Sequence, residues 1–331
     1  MQTRHIIVDP VNPEEEALQE AAAVIENHGL VAFPTETVYG LGASAYVDSA
    51  VAKIFAAKNR PATTPLLVHV SDAGQVAELV TGIPEVARLL MQKFWPGPLS
   101  IILPASGRVP AVVTGGKSSV GLRMPSHPVA LALIARTGPL AAPSANLSGR
   151  PSPVTAADVK ADLEGRIECV LDAGPTGSGI ESTVLDLSVH PFKVLRRGGT
   201  ALEDIEAVLG ERLDTYAAGH REALHGQVAT RIIIARDEKD FKQQLDKWSG
   251  AGPVGVVYYN SDSAQGTDRN RKNYELDLTG RHGSLYTILR DAETIKLKTL
   301  LFSPFPLERD GITAAVIDRI YEAAGEHRPT G

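Results

Sequence analysis

Lys58-Asn59-Arg60-Pro61 and Ser144-Ala145-Asn146-Leu147-Ser148-Gly149 hold residue types from which a phosphate-handling site can be built. The first places two cations where a helix must close. The second is a small-residue loop of hydroxyl and amide side chains. A third segment, Phe33-Pro34-Thr35-Glu36-Thr37-Val38-Tyr39-Gly40, sets hydroxyls and a carboxylate after an apolar strand. Polar loops on a rigid scaffold are where binding and chemistry concentrate. Arg123, in Gly121-Leu122-Arg123-Met124-Pro125, is a cation in an otherwise apolar run. Such a guanidinium is either paired structurally or grips a carboxylate or phosphate through its fork.

The common phosphate and metal signatures are missing: no Gly-x-x-x-x-Gly-Lys-Ser/Thr, no Gly-x-Gly-x-x-Gly, no His-Glu-x-x-His. Gly174-Pro175-Thr176-Gly177-Ser178-Gly179 is glycine-rich but precedes a strand-like run, so it lacks the helix N-terminus of a dinucleotide site. It reads equally as a turn between strands. Lys58 and Arg60 also have a plain reading, as basic residues that complement a helix C-terminus. Position favours the functional one. Thr35, Thr37, Ser144 and Asn146 follow strands and Arg123 ends one, and ligands of open α/β sheets gather at the carboxyl ends of strands.

The elements that must carry these residues are legible. Asn12 reads as an N-cap with Pro13 at the first helical position, Leu18, Ala21, Ala22 and Ile25 follow at helical spacing, and Gly29 closes the helix. Leu30 to Phe33 is a short buried strand. A second helix starts at Asp48 and must end before Pro61, leaving Lys58 in its last turn and Arg60 just beyond, both expected to face solvent. Strand-like runs recur at 66–70, 99–103, 120–124, 140–142, 168–171, 183–187 and 193–195, with helices between several of them. Trp95-Pro96-Gly97-Pro98 reads as a rigid turn. Consecutive strands without an intervening helix imply a mixed sheet. From about Gly210 the texture turns to charge, His, Gly and Ala without period, a linker expected over 211–228. Beyond it, apolar runs at 230–235, 254–258 and 299–302 alternate with amphipathic stretches at 237–248, 284–298 and 312–324. That alternation predicts a smaller α/β unit with a mainly parallel sheet, and 261–271 reads as a loop.

A chain of 331 residues exceeds what one core usually serves, so two domains are expected, 1–210 and 229–331. Apolar content of 43% and charged content of 22% are ordinary for a globular protein, and the net charge of −6 argues against gross capture of nucleic acid. The single cysteine, Cys169, sits in an apolar run and reads as core. It excludes a disulfide framework and a cysteine metal site, and it fits a reducing compartment. No apolar signal core opens the sequence and no run approaches the ~20 residues of a membrane span, so a cytoplasmic protein without membrane partners is expected.

Taken in order, Pro34–Gly40, Lys58–Pro61, Phe94–Leu99, Val120–Pro125, Pro143–Pro153, Gly179–Val184 and Leu195–Gly198 resemble the YrdC-domain family, and among it the two-domain threonylcarbamoyl-AMP synthases. The resemblance implies an α/β fold: an N-terminal YrdC-like twisted mixed sheet with helices, plus a smaller C-terminal Rossmann-like domain. It implies a nucleotidyl transfer in which L-threonine, bicarbonate and ATP yield threonylcarbamoyl-adenylate and pyrophosphate, with Mg²⁺ carried by ATP. The product would serve tRNA modification through a downstream transferase complex. By the same resemblance Lys58 and Arg60 take the catalytic cations, and Thr64, Ser119, Ser144, Asn146, Ser152 and Arg196 join them around ATP. Thr37, His69, Arg123 and Ser182 take the threonine side. No protein metal ligands are implied.

One departure stands out. The linker pattern of two-domain relatives, a Ser-Pro-Gly-Met-like stretch with a His-Tyr pair, is not present in 214–229, where His220, Arg221 or His225 are the available substitutes. Two other readings compete: an RNA-binding module whose basic groove would draw on Lys53, Lys58, Arg60, Lys117, Arg123, Arg150, Arg196 and Arg197, and a silent nucleotide-binding paralogue. The 5% aromatic content disfavours RNA, since base stacking needs exposed rings. Carbamoyl transfer as in the hydrogenase-maturation relatives needs zinc-finger modules that a single cysteine does not supply.

Overall fold

The computed structural model describes residues 1–215, 230–249, 253–259, 271–278, 285–305 and 311–326. The expected linker, with His220, Arg221 and His225, falls almost wholly outside the described residues, as does most of 261–271.

In chain order the elements are β1 (Arg4–Ile7), α1 (Glu15–Glu26), β2 (Val31–Phe33), β3 (Gly40–Ser44), α2 (Asp48–Lys58), β4 (Leu67–His69), α3 (Ala73–Leu79), α4 (Glu85–Phe94) and β5 (Leu99–Pro104). There follow α5 (Ala111–Thr114), β6 (Ser119–Arg123), α6 (Pro128–Thr137), β7 (Leu140–Ala141), α7 (Ala156–Leu163), β8 (Cys169–Asp172), β9 (Thr183–Asp186), β10 (Lys193–Arg196), α8 (Leu202–Leu209) and β11 (Asp214–Thr215). After these come β12 (Arg231–Ile234), α9 (Glu238–Ser249), β13 (Val254–Tyr259), β14 (Arg271–Leu276), α10 (Leu285–Thr294), β15 (Thr299–Phe302) and α11 (Gly311–Ala324).

Among the described residues two sheets form. The first has eleven strands in the order β1-β8-β2-β3-β7-β4-β6-β5-β9-β10-β11, with parallel and antiparallel neighbours. The second has four parallel strands, β12-β15-β13-β14. Side-chain alternation splits the large sheet between two cores. Val170 of β8 faces one with Ile54 and Val68, while Cys169 and Leu171 face the other with Leu18, Ile25 and Leu133. Cys169 is core as expected, and burial pushes its thiol up to about 11.

Four local features differ from expectation. Helix α1 starts at Glu15, because Asp9 takes the N–H groups of Val11 and Asn12 and holds them in a turn ahead of it. His28, not Gly29, takes the left-handed position at φ 60°, and a Cβ on Gly29 would lie 2.7 Å from Val24. Strand β3 passed unnoticed in Gly40–Ser44, whose glycines carry no strand signal; they make room for Phe33, whose ring a Cβ on Gly42 would meet at 2.7 Å. Strand β14 was missed as well, since Arg271–Leu276 is mostly polar.

Candidate functional site

Helix α2 ends in a Schellman motif: Asn59 is left-handed (φ 52°), its N–H reaches Ala56 O at 3.3 Å, and the Arg60 N–H reaches Phe55 O at 2.9 Å. This turn divides the two cations. Arg60 leaves the helix half-buried. Lys58 points inward and is 1% exposed, which overturns its expected place in solvent. Its Nζ donates to Ser144 O and Asn146 O, each at 2.5 Å, and lies 3.4 Å from Asn146 Oδ1. The Ser144 hydroxyl donates to the same Oδ1 at 2.5 Å, and the Asn146 amide donates to Leu147 O and Arg150 O. Burial, with Arg60 nearby, pushes the Lys58 amine well below the ordinary lysine range. Lys58, Ser144 and Asn146 thus come together as expected, but as a closed set.

The loop after β2 is an ST turn. Thr35 Oγ1 donates to Val38 O at 2.6 Å and accepts the N–H groups of Thr37 and Val38 at 3.2 Å. With that proton spent, Thr37 must be the donor across the 2.8 Å hydroxyl pair, which leaves its oxygen free to accept from a ligand. The glycine-rich run holds this loop: Ser178 donates to Glu36 O through its N–H (2.9 Å) and hydroxyl (3.2 Å), and Tyr39 donates to Gly174 O.

Strands β2 and β6 stand four steps apart in the sheet, about 19 Å at ordinary strand spacing. Yet Glu36 Oε1 lies 2.7 Å from Arg123 Nη2 at the end of β6, so the loop folds across the face of the sheet. The approach is close but not in line. Neither Arg123 Nη2 nor either Glu36 carboxylate oxygen makes a hydrogen bond, and all three are shut off from solvent. Arg123 Nε donates only to Gly97 O, at 3.3 Å. The Trp95–Pro98 turn is therefore part of the site's scaffold, and a Cβ on Gly97 would lie 2.4 Å from Phe94 O.

His69 sits opposite Arg123 in the β4–β6 register, its ring edge-on to Phe33 at 6.2 Å. Burial and the Arg123 cation lower its pKa to about 3, so the imidazole is neutral, and its buried Nδ1 has no partner. Ser182, ahead of β9, has its hydroxyl 2.8 Å from Ser100 Oγ and accepts from Arg196 Nη2 at 3.1 Å. Arg196 also donates Nε to Ser182 O at 3.0 Å. Burial, against the pull of Glu181, brings its guanidinium down to about 10.

Three further expected residues are placed as follows. Ser152 is fully buried and spends its hydroxyl on Glu181 Oε1 at 2.7 Å. Thr64 is buried in the turn 61–64 ahead of β4. Ser119 opens β6, four residues and about 13 Å from Arg123 along the strand.

The residues missed from sequence are those that join the two sheets. Tyr286 donates to the Glu181 carboxylate at 2.7 Å, and Arg319 Nε stands 3.4 Å from it. Arg290 reaches Asp162 (2.9 Å), Asp158 (3.7 Å) and Pro151 O (2.5 Å). Arg150 pairs with the same Asp162 and with Glu293. Around these ions Val38, Val154 and Ile180 pack against Leu285, Ile288 and Leu289 of α10. The available signal was a lone arginine on the apolar face of α10 and of α11, the same feature that marks Arg123. Of the cations considered for an RNA groove, Lys58 and Arg123 are buried, Lys53 donates to His28 O and Arg150 pairs with carboxylates.

The Sua5_yciO_yrdC family profile, described as telomere recombination, matches residues 23–198. The profile of the threonylcarbamoyl-AMP synthase C-terminal domain matches residues 201–325. The threonylcarbamoyl-AMP synthase of Pyrococcus abyssi is 39% identical over 94% of this chain and 95% of its own length, and that of Bacillus subtilis 38% over 96% of both. The crystal structure of P. abyssi Sua5 complexed with L-threonine superposes with a TM-score of 0.86 at 37% identity, covering 98% of each chain. With both profiles matched and the likeness running nearly end to end, this chain is an enzyme of the Sua5/YrdC family of threonylcarbamoyl-AMP synthases.

Proposed function

We propose that the protein forms threonylcarbamoyl-adenylate and pyrophosphate from L-threonine, bicarbonate and ATP. The observation that carries this reading is the Arg123 end of the site. A buried guanidinium and a carboxylate meet there, the Thr37 hydroxyl is one residue from that carboxylate, and Ser182 precedes Thr183, whose N–H bonds Pro98 O beside the Gly97 O that Arg123 holds, a set suited to a small polar zwitterion. The P. abyssi relative of the same fold holds L-threonine. Arg123 would take the carboxylate, with Thr37 and Ser182 answering the ammonium and hydroxyl.

In the reaction, a carboxylate oxygen of N-carboxy-threonine attacks the α-phosphorus of ATP. A new O–P bond forms as the bond to pyrophosphate breaks, and negative charge grows on the phosphate oxygens. Little covalent work falls to the protein, which supplies position and countercharge. Arg60, beside the Ser144–Asn146 loop that Lys58 holds, is the proposed phosphate cation. Arg196, which donates to the Ser182 hydroxyl, is a further candidate cation. Mg²⁺ would arrive on ATP and neutralise the pyrophosphate. The donor set fits an ion carried by the nucleotide, because the buried carboxylates Asp162 and Glu181 are already held by arginines.

The proposed setting is the cytoplasm, with tRNA reached through a downstream transferase complex. Among the described residues no helix is long and apolar enough to cross a membrane. The test is pyrophosphate release with ATP, bicarbonate and Mg²⁺, scanned over the amino acids. Release confined to threonine is expected, with serine poorer and valine much poorer, because a buried group built for the hydroxyl costs about 1–3 kcal/mol when left unpaired. Equal turnover with all amino acids, or with none, sinks the reading.

A further inference from the structure

Glu181 and Ser182 are neighbours in the chain and turn opposite ways. The Ser182 hydroxyl lies 2.8 Å from Ser100 Oγ and accepts from Arg196 Nη2 at 3.1 Å, on the threonine side of the proposed site. The Glu181 carboxylate turns to the C-terminal helices. Both of its oxygens stand 2.7 Å from the Tyr286 hydroxyl of α10, and Oε2 stands 3.4 Å from Arg319 Nε of α11. Arg319 also donates Nη2 to Arg197 O at 3.0 Å, so one guanidinium holds the residue next to Ser182 and the residue next to Arg196. These two segments have no room to slide. The Gly199 N–H donates to Glu181 O at 2.9 Å, and a Cβ on Gly198 would lie 2.2 Å from that oxygen and 2.4 Å from the Ser182 carbonyl carbon. A shift of either segment is passed to the other, and with it to the Ser182–Arg196 contact.

Joining the two sheets does not need this arrangement. The packing of Val38, Val154 and Ile180 against α10 and the Arg290–Asp162 pair already do so. Buried ionic groups are also a weak source of net stability, since desolvation offsets their attraction. What they contribute here is geometry. Resting on the threonine reading above, we propose that Tyr286 and Arg319 are positioning residues: through Glu181 and Arg197 they fix the Ser182 hydroxyl and the Arg196 guanidinium, so that the C-terminal helices set threonine affinity from outside the site. Each lies one residue behind the group it orients. The coupling is reciprocal: whatever the docking of α10 and α11 adds to threonine affinity, bound threonine adds to the docking.

The test is a double-mutant cycle on the full chain, read by calorimetry with L-threonine. Tyr286→Phe removes the hydroxyl and keeps the ring. It should weaken threonine binding by about two- to thirtyfold, the range over which substitutions outside a site act on it. In a Ser182→Ala background that loss should disappear, because the group through which Tyr286 acts is gone. Arg319→Lys should behave alike, since a lysine has no planar fork to hold Glu181 and Arg197 O together. The same loss in both backgrounds, or none in the first, overturns the proposal and leaves the two residues a structural role. Where a variant does not fold, or Ser182→Ala binds too weakly to measure, amide hydrogen exchange on the wild type decides. Threonine should slow exchange in α10 and α11 more than in α9, which lies on the other face of their sheet. An equal effect on all three helices, or none, rejects the coupling. Wild type that binds no threonine removes the functional reading itself, an outcome distinct from threonine binding that ignores Tyr286 and Arg319.

Discussion

Around Lys58 three buried polar groups are matched inside the protein: the ammonium by two carbonyls, the Ser144 hydroxyl by Asn146, and the Asn146 amide by two more carbonyls. At the Arg123 end, Glu36, Arg123 and His69 all keep buried atoms without a hydrogen bond. Both ends are polar and enclosed, so burial does not distinguish them; satisfaction does. The first holds a loop in shape, and the proposed ligand contact falls to the neighbouring Arg60. On the proposed reading the second keeps its bonding capacity for a ligand, at a standing cost in stability.

The largest effect should come from unbalancing the open end. Arg123→Gln leaves the Glu36 carboxylate buried without its cation, which typically costs about 3–5 kcal/mol, and threonine binding should vanish with it. Adding Glu36→Gln should recover most of the stability and none of the binding. Denaturant titration and calorimetry on the single and double variants check this. Recovery of threonine binding in the double variant would falsify the division between a structural and a ligand-directed role.

Next in size is the contrast between the two cations. Arg60→Ala should slow pyrophosphate release by about 10²–10³, the usual loss for one preorganised donor, with stability changed by less than about 1 kcal/mol. Lys58→Ala strands two carbonyls inside the protein and should cost about 2–6 kcal/mol of stability at 1–3 kcal/mol each. Melting and turnover measured on both variants break the comparison if Lys58→Ala melts like wild type.

The smallest effect is a pH slope. The folded pKa of His69, about 3, lies below its ordinary 6.5, so between those values the unfolded chain binds the extra proton. The protein then loses stability as pH falls from 6.5, by up to about 1.4 kcal/mol per pH unit from this residue. Between pH 7 and pH 5, His69→Gln should therefore lose about 2 kcal/mol less than wild type in paired denaturant titrations. Identical slopes would show that His69 titrates freely and does not share the dry surroundings of Arg123.

Much of this was legible along the chain, because periodicity and turn chemistry are local. Apolar runs placed the strands that carry Phe33, His69 and Arg123 and the one that follows Ser182, and Pro61 placed the end of the Lys58 helix. Residue type alone marked Arg123, since a cation in an apolar strand needs a partner. What sequence cannot contain is which way a side chain turns at a helix end. Nothing in Lys58-Asn59-Arg60 announces that a left-handed Asn59 sends one cation inward and the other out. Nor could it pair Glu36 with Arg123, 87 positions apart in the sequence, because that contact depends on a loop folding across four strand steps. The same holds for Arg290 and Arg319, whose partners Asp162 and Glu181 lie more than a hundred positions earlier in the chain. Local pattern determined which elements exist and which residues stand at their ends. Only the packing of those elements decided which polar groups are spent within the protein and which are left for a ligand.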